Sequence, residues 1–219
     1  MVRSKEIIKK DVVDQLYWDS RVNAADVEVS VSDGKVTLSG TVPTLQARRA
    51  ALLDAYSVSG VQTVENDISV RYGEPLPSSE EVEQRVRYVL AWNPDIDSTN
   101  IEVRADAGLV RLEGTVDAFW KKLFAADLAM SVGGVLDVVN KLAVVPTNDI
   151  IDESIADDIV GALGRNSLVS AEAVDVTVRN GFVSLEGTVP GRLARDAALE
   201  VAYYTPGVTG VEDRLIVAE

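Results

Sequence analysis

The chain has 219 residues, of which 47% are hydrophobic, 26% charged and 5% aromatic, a composition typical of a folded protein with an aliphatic core. It contains no histidine and no cysteine, which excludes disulfides, zinc sites built on those residues and every nucleophile–histidine dyad. The formal charge of −14 disfavours a nucleic-acid partner, because phosphate contacts require a surplus of Lys and Arg.

The first predicted element is a helix that recurs three times. Each copy has three aliphatic residues spaced by four, which predicts one buried stripe along a helix. The stripes are Ile8, Val12 and Leu16, then Val82, Val86 and Leu90, then Ile155, Ile159 and Leu163. Ser78 followed by Glu81 is typical of a capping box, and Ser4 stands at the matching place in the first copy. We expect Trp18 and Trp92, just past the first two stripes, to cover the core.

A β-hairpin is predicted after each helix. Hydrophobic and polar residues alternate in two runs per copy, which indicates strands with one solvent-exposed face. The two runs meet at Asp33-Gly34, Ala107-Gly108 and Asn180-Gly181, where glycine supplies a positive φ. The returning run ends in a repeated Gly-Thr-Val triplet that begins at Gly40, Gly114 and Gly187, at intervals of 74 and 73 residues.

A second helix and a third strand complete each copy. The helix is rich in alanine and is predicted to run from Leu45, Phe119 and Arg192 toward Gly60, Gly134 and Gly207. We expect these later glycines to end the helix as C-caps, and we expect Gly40, Gly114 and Gly187 to mark strand bends or bulges, since none lies in a glycine-rich phosphate loop. All six are interpreted as structural glycines.

The predicted fold is therefore α+β, with three tandem αββαβ modules. Each module should contain a three-stranded mixed sheet with two helices packed on one face. The predicted boundaries are 1–73, 74–147 and 148–219, joined by linkers at residues 72–77 and 146–149. The net charge falls from −1 through −5 to −8 along these modules, so any contact with an anionic membrane should involve the first or second.

Cations on the second helix are the candidate binding residues. Arg48, Lys122 and Arg195 each stand eight residues after the triplet glycine, with further cations at Arg49, Lys121 and Arg192. Their position beside the alanine stripe fits either a snorkelling edge residue or a contact with an anionic lipid headgroup. Phe119 and Trp120 directly precede the lysines, which fits either an interfacial membrane contact or an anchor between modules.

The complete pattern resembles the BON domain family. The resemblance rests on the Gly-Thr-Val hairpin end, the alanine-rich helix and the stretch Gly-Val-x-x-Val-x-Asn-x-Leu-x-Val, in which Asn66 and Asn140 stand and the third copy has Asp213. It covers nearly the whole chain. It implies no known enzymatic activity, no cofactor and no metal, and it implies a binding module associated with the bacterial envelope, proposed to contact phospholipid, with members in osmotic-stress proteins.

We therefore expect a non-catalytic binding protein that contacts anionic envelope phospholipid or an envelope-associated protein, in osmotic or stress protection. The alternative is an intracellular scaffold or stress-related interaction module that self-associates without binding lipid. No apolar stretch is long enough to span a membrane, and the N-terminus lacks the apolar region of a secretory signal. The expected compartment is the cytoplasm for the chain as written, or the periplasm if a signal peptide has been removed.

Overall fold

A computed structural model of the protein describes residues 3–32, 34–72, 76–148 and 150–218. Asp33 in the first predicted turn, residues 73–75 of the first linker and Asp149 of the second lie outside the described residues. The chain divides into two compact units. One comprises Met1–Trp92, Val103–Arg111 and Ala126–Val139, and the other comprises Asn93–Glu102, Leu112–Ala125 and Asn140–Glu219. The module boundaries at 1–73, 74–147 and 148–219 remain a proposal.

The described residues contain six α-helices and nine strands, in the order α-β-β-α-β three times. The helices are α1 Lys5–Trp18, α2 Leu45–Ser57, α3 Ser79–Trp92, α4 Phe119–Met130, α5 Asp152–Arg165 and α6 Arg192–Tyr204. The strands are β1 Val27–Ser32, β2 Lys35–Val42, β3 Thr63–Val70, β4 Ile101–Asp106, β5 Leu109–Val116, β6 Asp137–Val144, β7 Val174–Arg179, β8 Phe182–Val189 and β9 Gly210–Val217. The predicted elements are confirmed.

The strands form three mixed sheets of three, with orders β1-β2-β3, β4-β5-β6 and β7-β8-β9. In the first sheet β1 pairs antiparallel with β2, with Val29 opposite Leu38, and β2 pairs parallel with β3, with Leu38 opposite Asn66. The corresponding pairs in the third sheet are Val176 with Leu185 and Leu185 with Asp213. A parallel return strand requires a crossover, and the alanine-rich helix of each repeat supplies it.

Aliphatic stripes form the core, as the spacing predicts. In the first repeat Ile8, Val12 and Leu16 are buried with Val36 and Leu38 of the central strand. The third repeat buries the same positions. The alanines of α2 and α6 are buried as well, and their small side chains let the second helix lie close to the sheet. Val22, Ile96 and Val169, the residues that lead into the hairpins, are each 6% exposed.

Polar groups at the helix starts fix local structure. Ser78 and Glu81 form the predicted capping box: Glu81 N donates to Ser78 Oγ over 3.2 Å, and Ser78 N donates to Glu81 Oε2 over 2.8 Å. The first residue of α5, Asp152, accepts hydrogen bonds from the backbone N–H groups of Asn180 and Gly181 at the hairpin tip, each 2.8 Å long. The start of this helix and the tip of its hairpin are thereby tied together.

The triplet glycines lie within the second strand of each hairpin, two residues before its end. Gly114 has a φ of +118°, and a Cβ there would stand 1.9 Å from the carbonyl oxygen of Asn100. A Cβ on Gly40 would stand 2.1 Å from the carbonyl oxygen of Asp26, and one on Gly187 would stand 2.0 Å from that of Ala173. Close backbone approach therefore requires glycine at these positions, and no phosphate-type loop surrounds them.

The expectation that the later glycines serve as C-caps is wrong. The helix α2 ends at Ser57 with Val58 as its cap, and Gly60 lies in the following turn with a φ of +94°. A Cβ on Gly60 would stand 3.1 Å from Ile8, and one on Gly207 would stand 2.9 Å from Ile155. These glycines are therefore structural for a different reason: the turn passes directly over the first buried residue of the first helix.

The expectation that Trp18 and Trp92 cover the core is also wrong. Trp18 is 86% exposed and Trp92 is 74% exposed. Trp18 follows the buried Leu16 by two residues, a rotation of about 200° on an α-helix, so it points away from the buried stripe. Each repeat that carries this tryptophan therefore presents a large aromatic side chain to solvent.

Candidate functional site

The structure places two of the three equivalent cations beside the third strand. Arg48 Nη2 donates to the carbonyl of Asn66 over 3.4 Å, and Arg195 Nε donates to Asp213 Oδ2 over 2.7 Å. Both side chains lie along the edge of the core, as a snorkelling residue would. Lys122 is half-buried, its backbone carbonyl accepts a hydrogen bond from Asn140, and no ion pair joins its ammonium group to a described carboxylate.

The three further cations are also held by neighbouring groups. Arg49 forms an ion pair with Asp127, and both side chains remain about half exposed. Lys121 pairs with Asp117 at 2.8 Å and lies 5.7 Å above the Trp120 ring. Arg192 is the first residue of α6 and is half-buried. Exposed ion pairs of this kind contribute little to stability, so Arg49 can exchange Asp127 for another anion at low cost.

The aromatic pair that opens α4 contacts tyrosines of α6. The Phe119 ring lies 5.6 Å from that of Tyr203, and Trp120 stacks on Tyr204 at 6.0 Å with an interplanar angle of 23°. Phe119 also packs against the buried core of the third repeat. The geometry matches an anchor between repeats, the second of the two interpretations that the sequence allowed.

A surface that the sequence analysis missed lies on α3, and we call Arg85, Tyr88 and Trp92 the α3 patch. The rings of Tyr88 and Trp92 are 5.6 Å apart, and their side chains are 62% and 74% exposed. Arg85, also exposed, is on the same face because seven residues make nearly two helical turns. An apolar groove of about 480 Å³ adjoins the patch and is lined by Gln84, Arg85, Tyr88, Val89, Ser131 and Val132.

A comparison between repeats would have found this patch in the sequence. At the interval of 74 residues, Arg85 and Tyr88 correspond to Asp11 and Asp14 on α1, and only the tryptophan is shared. Those aspartates form ion pairs with Arg3 and Lys10. On α1 the exposed Tyr17 stands beside Trp18, but the positions of Arg85 and Tyr88 hold aspartates, so this face of α1 is acidic where that of α3 is cationic and aromatic.

Ser78 and Glu81, at the start of α3, affect the electrostatic potential around the α3 patch. The backbone N–H and hydroxyl of Ser78 hold the pKa of Glu81 below its ordinary value, with a smaller contribution from the charge of Arg85. No carboxylate of the described chain lies within ion-pair distance of Arg85. The guanidinium is thus available to an external anion, although Glu81 weakens the local positive potential.

Neither a cluster of metal-binding side chains nor a membrane-spanning helix is found in the described part of the chain. No group of three or more Asp or Glu side chains there is arranged to hold a metal ion. No helix in it has both the length and the apolar character needed to cross a bilayer.

Comparisons with known proteins give the following matches. A family model described as BON domain matches residues 4–72, 78–146 and 151–219. Osmotically-inducible protein Y of Escherichia coli strain K12 is 29% identical over 137 residues, which cover 60% of this chain and 68% of that protein.

Two solved structures of CdsD, a structural protein of the type III secretion system of Chlamydia trachomatis, also match. The first is 19% identical with a TM-score of 0.26 and covers 98% of this chain and 94% of that one. The second, of the C-terminal domain, is 18% identical with a TM-score of 0.27 and covers 100% of both chains.

Proposed function

The chain belongs to the BON domain family, and on that premise we propose that it is a non-catalytic binding protein that contacts the anionic phospholipid surface of the bacterial envelope. All three repeats match the family. The name of the E. coli relative supports a role in osmotic or other stress protection. The relevant compartment is then the envelope, with the protein bound at a membrane surface rather than inserted across it.

The observation that carries the proposal is the α3 patch. Tyrosine and tryptophan are the residues that concentrate at membrane interfaces, where the ring lies at the acyl boundary and the polar atom stays hydrated. Arg85 lies on the same helical face, where its guanidinium can pair with a lipid phosphate. The adjoining groove has the volume of a small-ligand site, enough to accept part of an acyl chain beneath the headgroup.

The cations predicted from the sequence have unequal parts in this proposal. We propose Lys121 and Lys122 of α4 as headgroup contacts in their own right, without reference to the α3 patch. Arg49 and Arg192 are secondary candidates. Arg48 and Arg195 are hydrogen-bonded to β3 and β9, so their first role is to hold α2 and α6 on their sheets.

Phe119 and Trp120 were candidates for the apolar part of the membrane contact. Both rings contact tyrosines of α6, and to enter a bilayer they would have to leave those partners. We therefore assign the aromatic contact with lipid to Tyr88 and Trp92, and we assign the α4 pair to packing within the chain.

Vesicle co-sedimentation tests the proposal. The full chain should sediment with phosphatidylglycerol vesicles and not with phosphatidylcholine vesicles, and binding should fall as salt is raised from 50 to 300 mM, because pairing with headgroups is screened. Replacing Tyr88 and Trp92 by alanine, or Arg85 by glutamine, should reduce binding by about tenfold. The Lys121→Ala/Lys122→Ala variant should cause a smaller loss.

Trp18→Ala is the matched control. It removes the more exposed tryptophan from the equivalent position of α1, where Asp11 and Asp14 stand in place of Arg85 and Tyr88. Binding should be unchanged in this variant. Binding that is absent, or that responds neither to lipid charge nor to the α3 substitutions, contradicts the proposal.

A second function, a protein-interaction or self-associating scaffold without lipid binding, is favoured by the contacts of Phe119 and Trp120 with Tyr203 and Tyr204. These show that one repeat can present aromatic rings to another. A scaffold should show a mass above 23.5 kDa in light scattering and no sedimentation with either vesicle type.

A further inference from the structure

Asp54 is a buried carboxyl group on an otherwise apolar helix face. It is 7% exposed, and it lies among Ala47, Ala50, Ala51 and Ala55, the buried alanines of α2. Its Oδ2 has no hydrogen-bond partner in the described structure. An ionised carboxylate without a full set of partners is expensive to bury, and it is usually protonated instead.

The position of Asp54 is apolar in the other two repeats. At the repeat interval it corresponds to Leu128 on α4 and Val201 on α6. An aliphatic residue therefore fits this site in the fold, and the carboxyl group is not required for the architecture. The acid is a property of the first repeat alone.

The charges of Asp54 and the groups around it sum to zero only when Asp54 is protonated. Asp19, the C-cap of α1, accepts hydrogen bonds from Nε and Nη2 of Arg21, which are 2.9 and 2.5 Å long. Gln15 of α1 donates a hydrogen bond to Asp54. The Arg21 cation interacts electrostatically with Asp54 and with Asp127 on α4. Asp127 is paired with Arg49. Two arginines thus face three carboxyl groups.

The two aspartates nearest each other respond in opposite directions. Burial, and then the charge of Asp19, raise the pKa of Asp54, against the hydrogen bond from Gln15 and the charge of Arg21. The hydrogen bonds from the Arg21 side chain lower the pKa of Asp19. This is the pattern of a carboxyl pair in which one member keeps the charge and the other keeps the proton.

We infer that Asp54 is a proton-binding site in the first repeat, and that its ionisation weakens the packing of α2 against α1. The folded state holds this proton more tightly than the unfolded chain does. Stability from this site is therefore complete below the ordinary carboxyl range, and it is lost as pH rises through the elevated pKa of Asp54. Neither Asp19 nor Asp127 can relieve the surplus charge, since an arginine already binds each of them.

Thermal unfolding of Asp54→Asn across pH 4 to 8 tests the inference. Asparagine keeps the shape of the side chain and is neutral throughout. The variant should match the wild type at pH 4 and exceed it by about 3 °C in Tm at pH 8. Asp67→Asn, which alters an exposed carboxylate on β3, is the matched control and should not reproduce the gain in Tm at pH 8, because that carboxylate is solvated.

A second measurement does not depend on the variant folding. In a ¹³C NMR titration of the intact chain, the Asp54 carboxyl signal should titrate above the ordinary range of an aspartate side chain. Titration within or below that ordinary range, or a Tm gap between Asp54→Asn and wild type that stays constant with pH, would overturn the inference.

Discussion

Arg195 and Asp213 form in the third repeat a contact that an asparagine makes in the other two. The Arg195 Nε donates to Asp213 Oδ2, whereas Asn66 Nδ2 donates to the backbone carbonyl of Arg48 over 3.1 Å and Asn140 Nδ2 to that of Lys122 over 2.6 Å. An aspartate has no N–H to offer a helix carbonyl, so the arginine side chain provides the link instead. In all three repeats Oδ1 of this side chain accepts a hydrogen bond from the backbone N–H two residues later, at Ile68, Leu142 and Leu215.

This relationship predicts how substitutions at position 213 should differ. Asp213→Ala removes both acceptors and should lower the free energy of unfolding by about 1–2 kcal/mol. Asp213→Asn should cost less, because the amide can restore the bond to the Arg195 carbonyl. Urea unfolding of the two variants measures the difference, and equal losses would mean that the link between helix and strand is energetically unimportant.

A single methyl group added at a triplet glycine should destabilise the fold strongly. Gly114→Ala should lower the free energy of unfolding by more than about 2 kcal/mol, since it adds strain at positive φ to a collision with the Asn100 carbonyl. Gly164→Ala in α5 is the control, because no atom lies within 4 Å of its added Cβ and alanine favours the helix. It should gain about 0.5–1 kcal/mol. A similar response at both sites would contradict the role of close backbone approach.

The ring contact between Phe119 and Tyr203 predicts energetic coupling. A double-mutant cycle of Phe119→Ala and Tyr203→Ala should give a coupling energy of about 0.5–1.5 kcal/mol, the range for aromatic pairs. Leu193→Ala on the same α6 helix is the control, since Leu193 is 66% exposed and its loss should change stability by less than about 0.5 kcal/mol. Strictly additive losses in the cycle would show that the two rings act independently.

The three tryptophans should differ in fluorescence, because their surroundings differ. A variant that retains only Trp120, stacked on Tyr204, should emit at shorter wavelength and resist acrylamide quenching. Variants that retain only Trp18 or only Trp92 should be quenched readily, because both rings are largely exposed. Equal quenching of the single-tryptophan variants would contradict the partial burial of Trp120 against Tyr204. Anionic vesicles should protect Trp92 and leave Trp18 unaffected.

The fold was predictable because local rules and repetition agree in this chain. The spacing of Val82, Val86 and Leu90 already defines one buried face of a helix, and alternation around a glycine defines each hairpin. The crossover to a parallel strand follows from the length of the alanine-rich helix. Where a single pattern was ambiguous, its recurrence at 73 or 74 residues removed the ambiguity.

The candidate site was only partly predictable. The direction of Trp92 follows from its helical angle to Leu90, but hydrophobicity alone suggested burial. Asp54 could have been found by comparison with Leu128 and Val201, whereas the charges that face it depend on tertiary contacts. The partners of Phe119 also required the structure, because packing between repeats leaves no periodic signal in the sequence.

The tie between Asp152 and the hairpin tip has a practical consequence for protein engineering. Two-residue hairpin tips are the usual choice for inserting epitope tags or fusing reporters, since exposed turns tolerate added residues. Here an insertion between Asn180 and Gly181 would separate two amides that share one carboxylate. Labelling should instead use the exposed residues Thr147 and Asn148 that follow β6, where no hairpin tip would be opened.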